Sequence, residues 1–182
     1  MKITFKKLAN IIFKEIILKM ENNSGLVIFA KERAKFEGWL KVELCEILSK
    51  YFSTVIPETV ISKKDRIDVT FDNWAIELKI INTNYKYKNV KSKRRPITKN
   101  INGVIKDIEK LKSTNYTNYT NKTVLFVVFP VTHDYEEWKK HLKKISEKLD
   151  DLKYKEFKFK IKHKNFRFKS KIPGVIYFGL IK

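Results

Sequence analysis

Two short segments near the middle of the chain, residues 66–71 and 74–80, alternate apolar and non-apolar side chains. Alternation with a period of two is typical of a half-buried β-strand. Only residues 72–73, Asp-Asn, separate the two segments, which predicts a β-hairpin with a two-residue turn. The apolar side chains then share one face of the hairpin. The opposite face carries three charged residues that matter for chemistry: Asp68, Glu77 and Lys79.

The predicted turn fixes the register of the hairpin. A two-residue turn pairs Phe71 with Trp74, and counting back places Asp68 directly across from Glu77. Like charges that face each other across two strands destabilise a sheet. We therefore expect a cation to be held between these two carboxylates. If the turn has another length, the two acids become diagonal neighbours, which a metal ion can still bridge.

The rest of the chain mixes helical and strand patterns. Amphipathic spacing predicts helices at about residues 4–20, 26–52, 101–111 and 134–149. Apolar or alternating runs predict strands or extended segments at residues 54–61, 124–129, 157–169 and 175–181. This order predicts a mixed sheet flanked by helices, an α/β or α+β fold. We expect a single domain over residues 1–182, with a helical appendage at 1–25, a core at 26–130 and a C-terminal helix with strands at 131–182.

The charge of the chain limits its partners. Among 182 residues, 40 Lys and Arg stand against 20 Asp and Glu, a formal net charge of +20. An excess of this size indicates a polyanionic partner, with nucleic acid as the first candidate. A solvated surface rich in lysine is the plain alternative. A membrane surface, contacted by a basic amphipathic helix at residues 3–20, is the weaker one.

Cysteine content and hydropathy indicate the compartment. Cys45 is the only cysteine, so the chain can form neither an internal disulfide nor a CxxC zinc pair. Charged residues interrupt every apolar stretch before it reaches the length of a membrane span. We therefore expect a cytoplasmic protein that is not bound in a membrane.

The predicted helix at residues 26–52 contains a carboxylate in an unusual position. On a helical wheel, Glu43 falls near the middle of the apolar stripe that runs from Phe36 to Tyr51. A carboxylate there must be paired, protonated, metal-bound or at the rim of the core. A structural partner for a buried Lys or Arg is the alternative to a functional role. Glu37 lies at the edge of the same stripe.

The hairpin offers the parts that phosphodiester hydrolysis needs. Asp68 and Glu77 provide oxygen ligands suited to a hard cation such as Mg²⁺. Lys79 lies two residues beyond Glu77 on the same face, where an ammonium group can contact an attacking water or a phosphate oxygen. An exposed polar strand face with a Glu–Lys ion pair is the alternative interpretation.

Asp68, followed on the next strand by Glu77-Leu78-Lys79 and preceded by a helix bearing Glu43, resembles the PD-(D/E)XK nuclease superfamily. That group includes many restriction endonucleases, archaeal Holliday-junction resolvases and repair nucleases. The resemblance covers roughly residues 26–130 and implies a restriction endonuclease-like α-β-β-β-α-β core. This chain departs from the nominal motif at Ile67, which stands where the motif has proline.

The resemblance implies roles for individual residues. Asp68 and Glu77 would bind Mg²⁺ with the backbone carbonyl of Leu78, and Mn²⁺ is expected to substitute. Lys79 would orient or activate the attacking water. Glu43 would hold a second metal ion or a water on the first, with Glu37 as the alternative acid on that helix.

A basic segment follows the second hairpin strand directly. It contains seven cations that we expect to contact DNA phosphates: Lys86, Lys88, Lys91, Lys93, Arg94, Arg95 and Lys99. A mobile solvated loop is the alternative. The function expected from the sequence is a Mg²⁺-dependent DNA endonuclease acting on duplex or branched DNA, with a homodimer possible because two strands require two active sites. A nucleic-acid-binding protein on the same fold that does not cut is the second hypothesis.

Overall fold

A computed structural model describes residues 3–63, 65–92, 97–113, 117–151 and 160–181. In chain order the elements are α1 (Phe5–Asn22), α2 (Ser24–Glu32), α3 (Glu37–Ser49), β1 (Val55–Ser62), β2 (Asp65–Phe71), β3 (Trp74–Asn82), α4 (Ile97–Lys112), β4 (Asn121–Phe129), α5 (Glu136–Asp151), β5 (Lys160–Arg167) and β6 (Pro173–Ile181). The strands form one six-stranded mixed sheet in the order β1-β2-β3-β4-β6-β5. The pair β3–β4 is parallel, and the other neighbouring pairs are antiparallel. The expected mixed sheet flanked by helices is confirmed.

The helices cover both faces of the sheet. Helices α1, α2 and α3 pack on one face and α4 on the other, where α4 also contacts α5. Strand β4 is central, and its side chains enter the two cores alternately, Leu125, Val127 and Phe129 on one side and Val124, Phe126 and Val128 on the other. A strand buried on both faces reads as a continuous apolar run. The prediction for residues 124–129 is therefore confirmed.

The long helix predicted for residues 26–52 is wrong, because the chain breaks between α2 and α3. Arg33 adopts a left-handed conformation at φ 53° and ends α2. Its side chain is only 2% exposed and donates to the backbone carbonyls of Thr83, Tyr85 and Lys91. Hydrogen bonds from a charged donor to otherwise buried carbonyls are strong enough to outweigh a local helical preference.

The hairpin forms with the predicted turn. Phe71 pairs with Trp74, and Val69 pairs with Ile76 two residues further from the turn. Asp72 takes a positive φ of 44° in the turn, as Asp and Asn tolerate better than most residues. The ladder between β2 and β3 ends at Val69 and Ile76. Beyond that pair the two strands separate.

From α3 to β4 the elements follow the order α-β-β-β-α-β. This is the order expected for the core at residues 26–130, apart from α2, which lies inside the range. Many α/β proteins share such an order, so it carries no family assignment. None of the described helices combines the length and the apolar character needed to cross a membrane.

Candidate active site at the opening between two strands

The sheet opens between β2 and β3 where their ladder ends. Beyond that point, side chains form hydrogen bonds with the backbone of β3. The backbone N–H of Leu78 donates to Asp68 Oδ2 at 2.8 Å, and the N–H of Ile80 donates to Glu37 Oε1 at 3.4 Å. The carbonyl of Asn82 accepts from Asn100 Nδ2 at 3.1 Å. Two carboxylates therefore accept the hydrogen bonds that carbonyl groups of β2 would accept if its ladder with β3 continued.

The backbone of β3 also turns an acceptor toward this opening. In a strand, the N–H and C=O of one residue point to the same neighbouring strand. Because the N–H of Leu78 meets Asp68, the carbonyl of Leu78 faces the opening as well. The carbonyl that the resemblance implies as a metal ligand is thus on the same side as the Asp68 carboxylate.

Four carboxylates gather at the opening, and we call them the acidic cluster: Glu37, Asp68, Glu77 and Asp107. They come from the start of α3, from β2, from β3 and from the middle of α4. Asp107 lies on α4 between Val104 and Leu111, at the border of the apolar face of that helix. The cluster therefore draws on helices from both faces of the sheet.

Burial and the neighbouring charges set the pKa values of Asp68 and Glu77 apart. Burial is the main cause that raises the pKa of Glu77 to about 8; Lys110 opposes the rise, and the Asp68 carboxylate adds to it. Burial also acts to raise the pKa of Asp68, but hydrogen bonds from Lys41 and the Leu78 N–H outweigh it, so the pKa of Asp68 falls below its usual value. Glu77, only 5% exposed, thus keeps its proton while Asp68 is ionised. The predicted repulsion between the two acids is present, and a proton relieves it.

Three lysines contact the acidic cluster from three different elements. Lys41 of α3 lies 2.7 Å from Asp68 Oδ1, and Lys110 of α4 lies 2.7 Å from Glu77 Oε1. These two lysines come from helices on opposite faces of the sheet, and both reach the opening because the ladder between β2 and β3 has ended there. The sequence pattern does not predict that Lys41 and Lys110 contact these carboxyl groups, because the packing of α3 and α4 on the sheet creates the contacts.

The third lysine is Lys79, which the sequence predicts as a functional residue. Its Nζ lies 3.1 Å from Asp107 Oδ2. Burial acts to lower the pKa of Lys79, but the attraction of Asp107, with smaller contributions from Glu37 and Asp68, raises it overall. Lys79 is therefore a fixed ammonium group next to the carboxyl pair, a donor rather than a base at neutral pH.

The structure does not bring Glu43 to this cluster. Glu43 Oε2 lies 2.5 Å from Nζ of Lys19 on α1. At about 100° per residue, Glu43 projects from the side of α3 opposite to Lys41, which contacts Asp68. The structural ion pair left open for Glu43 is what forms, and Glu37, the alternative acid on this helix, is the one at the opening.

The basic segment is only partly described. Lys93, Arg94 and Arg95 lie outside the described residues. Lys86, Lys88 and Lys99 are exposed, and Lys91 pairs with Glu32 at 2.9 Å. Arg33 binds three carbonyls between residues 83 and 91, so this part of the segment is anchored to the end of α2 rather than a freely solvated loop.

Asp107 is the one acid of the cluster that the sequence-based predictions do not include. It lies three residues after Val104 and four before Leu111, the spacing of the apolar face of α4. The same signal, a carboxylate within an apolar helical stripe, drew attention to Glu43. Applied to every predicted helix, it finds Asp107 as well.

The donor set at the opening suits a hard cation in its chemistry. Asp68, Glu77 and the Leu78 carbonyl provide oxygen ligands, which Mg²⁺ prefers. Among the described residues, no group of three or more His, Cys, Asp or Glu side chains is arranged to hold a metal ion as it stands. The lysine contacts of Asp68 and Glu77 would have to rearrange when a cation binds.

Comparison with models of known protein families, with curated proteins and with solved structures gave no match for this chain.

Proposed function

We propose that this protein is a metal-dependent DNA endonuclease that hydrolyses phosphodiester bonds at the opening between β2 and β3. One observation supports the proposal above the others. Burial, with a smaller contribution from the Asp68 carboxylate, raises the pKa of Glu77 to about 8, and the Lys79 ammonium is attracted by Asp68. Adjacent carboxyl groups and a fixed cation are the parts that metal-assisted phosphodiester hydrolysis uses.

Each residue at the opening has a role in this proposal. Asp68, Glu77 and the Leu78 carbonyl would hold Mg²⁺, and Mn²⁺ is expected to substitute. A bound divalent cation supplies charge neutralisation at the phosphate and lowers the pKa of water. Lys79 donates to a phosphate oxygen or to the attacking water, and Asp107 fixes the position of the Lys79 ammonium.

Glu37 completes the site as a positioning residue. Its carboxylate accepts from the N–H of Ile80 and contributes to the raised pKa of Lys79. It can also accept a hydrogen bond from a water between the carboxyl pair and the substrate. Glu43 has no role in this proposal, because its ion pair with Lys19 occupies another side of α3.

The partner we propose is DNA. The net charge of +20 and the exposed cations Lys86, Lys88 and Lys99 favour a polyanion. Cutting both strands of a duplex takes two active sites, so we propose a homodimer on DNA. The lone Cys45 fits a reducing compartment, and we propose that the protein acts in the cytoplasm.

The test is a cleavage panel with plasmid, linear duplex and four-way-junction DNA in Mg²⁺ or Mn²⁺. We expect the parent to cut at least one substrate and Lys79→Ala to cut it roughly 100-fold more slowly or worse. The matched control is Lys19→Ala, which removes a lysine from an ion pair away from the opening and should cut like the parent. If no substrate is cut, or if Lys79→Ala and Lys19→Ala behave alike, the nuclease proposal fails.

A non-cleaving nucleic-acid-binding protein is the second candidate, and one observation favours it. Lys41 and Lys79 already pair with Asp68 and Asp107, and Lys110 donates to Glu77 Oε1, as in a purely structural cluster. In that case DNA binding persists and weakens steeply with salt, because phosphates are neutralised, while neither metal ion gives cleavage. Cleavage that depends on Lys79 excludes this candidate.

A further inference from the structure

A second concavity lies where β3 and β4 end, and none of the acidic cluster lines it. It encloses about 260 Å³. Three tyrosines and two cations contribute to its wall: Tyr85, Tyr87, Tyr135, Lys86 and Arg167. The chain just after β4 and the start of β6 supply the rest. We call this concavity the tyrosine pocket.

The tyrosine rings present aromatic surface and are held in place. Tyr87 and Tyr135 are 37% and 41% exposed. Ring centroids of Tyr85 and Tyr135 lie 4.7 Å apart at an angle of 51°, and the Tyr87 hydroxyl donates to the Lys171 carbonyl at 3.2 Å. Exposed aromatic rings held by contacts of this kind are suited to stacking on the flat face of a base.

The charge at the tyrosine pocket favours an anionic group. Lys86 and Arg167 each bring a positive charge to the wall. Arg167 is held by a bond from Nη1 to the Lys171 carbonyl at 3.1 Å. Glu137, which accepts from the Tyr135 hydroxyl, adds one negative charge on the side of α5. A phosphate group therefore fits on the side of Lys86 and Arg167.

The tyrosine pocket continues from the strand that carries the candidate active site. Glu77 and Lys79 belong to β3, which ends at Asn82, and Tyr85 follows three residues later. Lys86 and Tyr87 also line a second groove with Lys88, along the basic segment. A nucleic-acid strand that follows these cations would pass the tyrosine pocket and the end of β3.

We propose that the tyrosine pocket binds one unpaired nucleotide, with its base against the tyrosines and its phosphate at Lys86 and Arg167. The volume is slightly below the range of about 300–1,000 Å³ typical of small-molecule sites, which favours a single base over a longer segment. A base inside a duplex is stacked and paired, so the bound nucleotide comes from a single strand, a branch point or a flipped position. This inference rests on the proposed function and deepens it: the substrate of the nuclease would be branched or single-stranded DNA.

The test measures binding of deoxyadenosine monophosphate by calorimetry in EDTA, where no cleavage takes place. We expect saturable binding that weakens roughly 5- to 100-fold in Tyr135→Ala, the range for loss of one base–aromatic stack. Arg167→Ala should weaken binding too, and inorganic phosphate should bind less tightly than the nucleotide. The matched control is Tyr51→Ala, which removes an exposed tyrosine at the end of α3, away from the pocket.

Three outcomes overturn the inference: no nucleotide binding, equal binding in Tyr135→Ala and Tyr51→Ala, or equal affinity for nucleotide and inorganic phosphate. Thermal melting of each variant identifies one that fails to fold, and Tyr87→Ala then serves in place of Tyr135→Ala. Because this assay contains no divalent metal, its result is independent of cleavage. Nucleotide binding without cleavage in the plasmid and junction panel would reject the nuclease proposal alone.

Discussion

Replacing Glu77 by glutamine isolates the buried carboxyl group, because it removes the ionisable proton and keeps the shape. Burial, with a contribution from Asp68, raises the pKa of Glu77 from its ordinary value of 4.5 to about 8. The unfolded chain releases this proton near pH 4.5, whereas the folded chain keeps it up to about pH 8. The parent protein therefore becomes less stable as the pH rises between these values.

The size of this loss follows from the pKa of Glu77. Each pKa unit corresponds to about 1.36 kcal/mol, so the rise to about 8 amounts to on the order of 5 kcal/mol. We expect the free energy of unfolding of the parent, relative to Glu77→Gln, to fall by several kcal/mol between pH 5 and pH 8.5. Urea denaturation of both proteins at the two pH values, without divalent metal, measures the difference.

The control for this experiment is Glu46→Gln. Glu46 is an exposed acid whose pKa is lowered by Lys19, so the parent should lose no stability relative to this variant over the same interval. If the difference in the free energy of unfolding between the parent and Glu77→Gln stays constant with pH, within about 1 kcal/mol, the raised pKa of Glu77 is contradicted. Glu77 would then be ionised in the folded protein at neutral pH, as Asp68 is.

Two further predictions concern helices α2 and α3. Glu37→Gln should slow DNA cleavage by about tenfold or more, because Glu37 lies at the opening. Glu43→Gln, the control, should cut at the parental rate, and both rates are measured on the DNA that the parent cuts fastest. Equal rates for the two variants would show that Glu37 has no role in the site. Arg33→Met should lower the free energy of unfolding by roughly 2–4 kcal/mol in urea denaturation, because three carbonyls lose a charged donor. A loss below about 0.5 kcal/mol, as at an ordinary surface position, would show that water replaces these bonds.

The hairpin and its register could be predicted from the sequence because both depend on local features. The alternation in residues 66–71 and 74–80 sets the face of each side chain, and the turn at Asp72 sets the pairing of Phe71 with Trp74. The predicted pairing of Asp68 with Glu77 does not form, because the ladder ends one pair earlier and Asp68 accepts from the N–H of Leu78 instead. Nothing in the alternation indicates where the ladder stops, since that depends on how α3 and α4 pack against β2 and β3.

The break between α2 and α3 could not be predicted because its cause is distant in sequence. No Gly or Pro marks residues 33–36. Arg33 leaves the helical conformation while its guanidinium binds the carbonyl of Lys91, 58 residues away. Glu37 and Glu43 both lie on α3, after this break. A helical wheel shows which of their neighbours in the helix are apolar, but it does not show which element each acid faces. Glu43 faces α1 and Glu37 faces the open edge of β3.

The most direct test of the account is calorimetry of Mg²⁺ binding at pH 7 in two buffers with different ionisation enthalpies. If Mg²⁺ takes the place of the proton on Glu77, binding releases about one proton per ion. The account predicts this release for the parent, its loss in Glu77→Gln, and much weaker binding in Asp68→Asn. Absence of Mg²⁺ binding, or binding that is unchanged in Asp68→Asn, would contradict the claim that the opening between β2 and β3 is a metal-dependent active site.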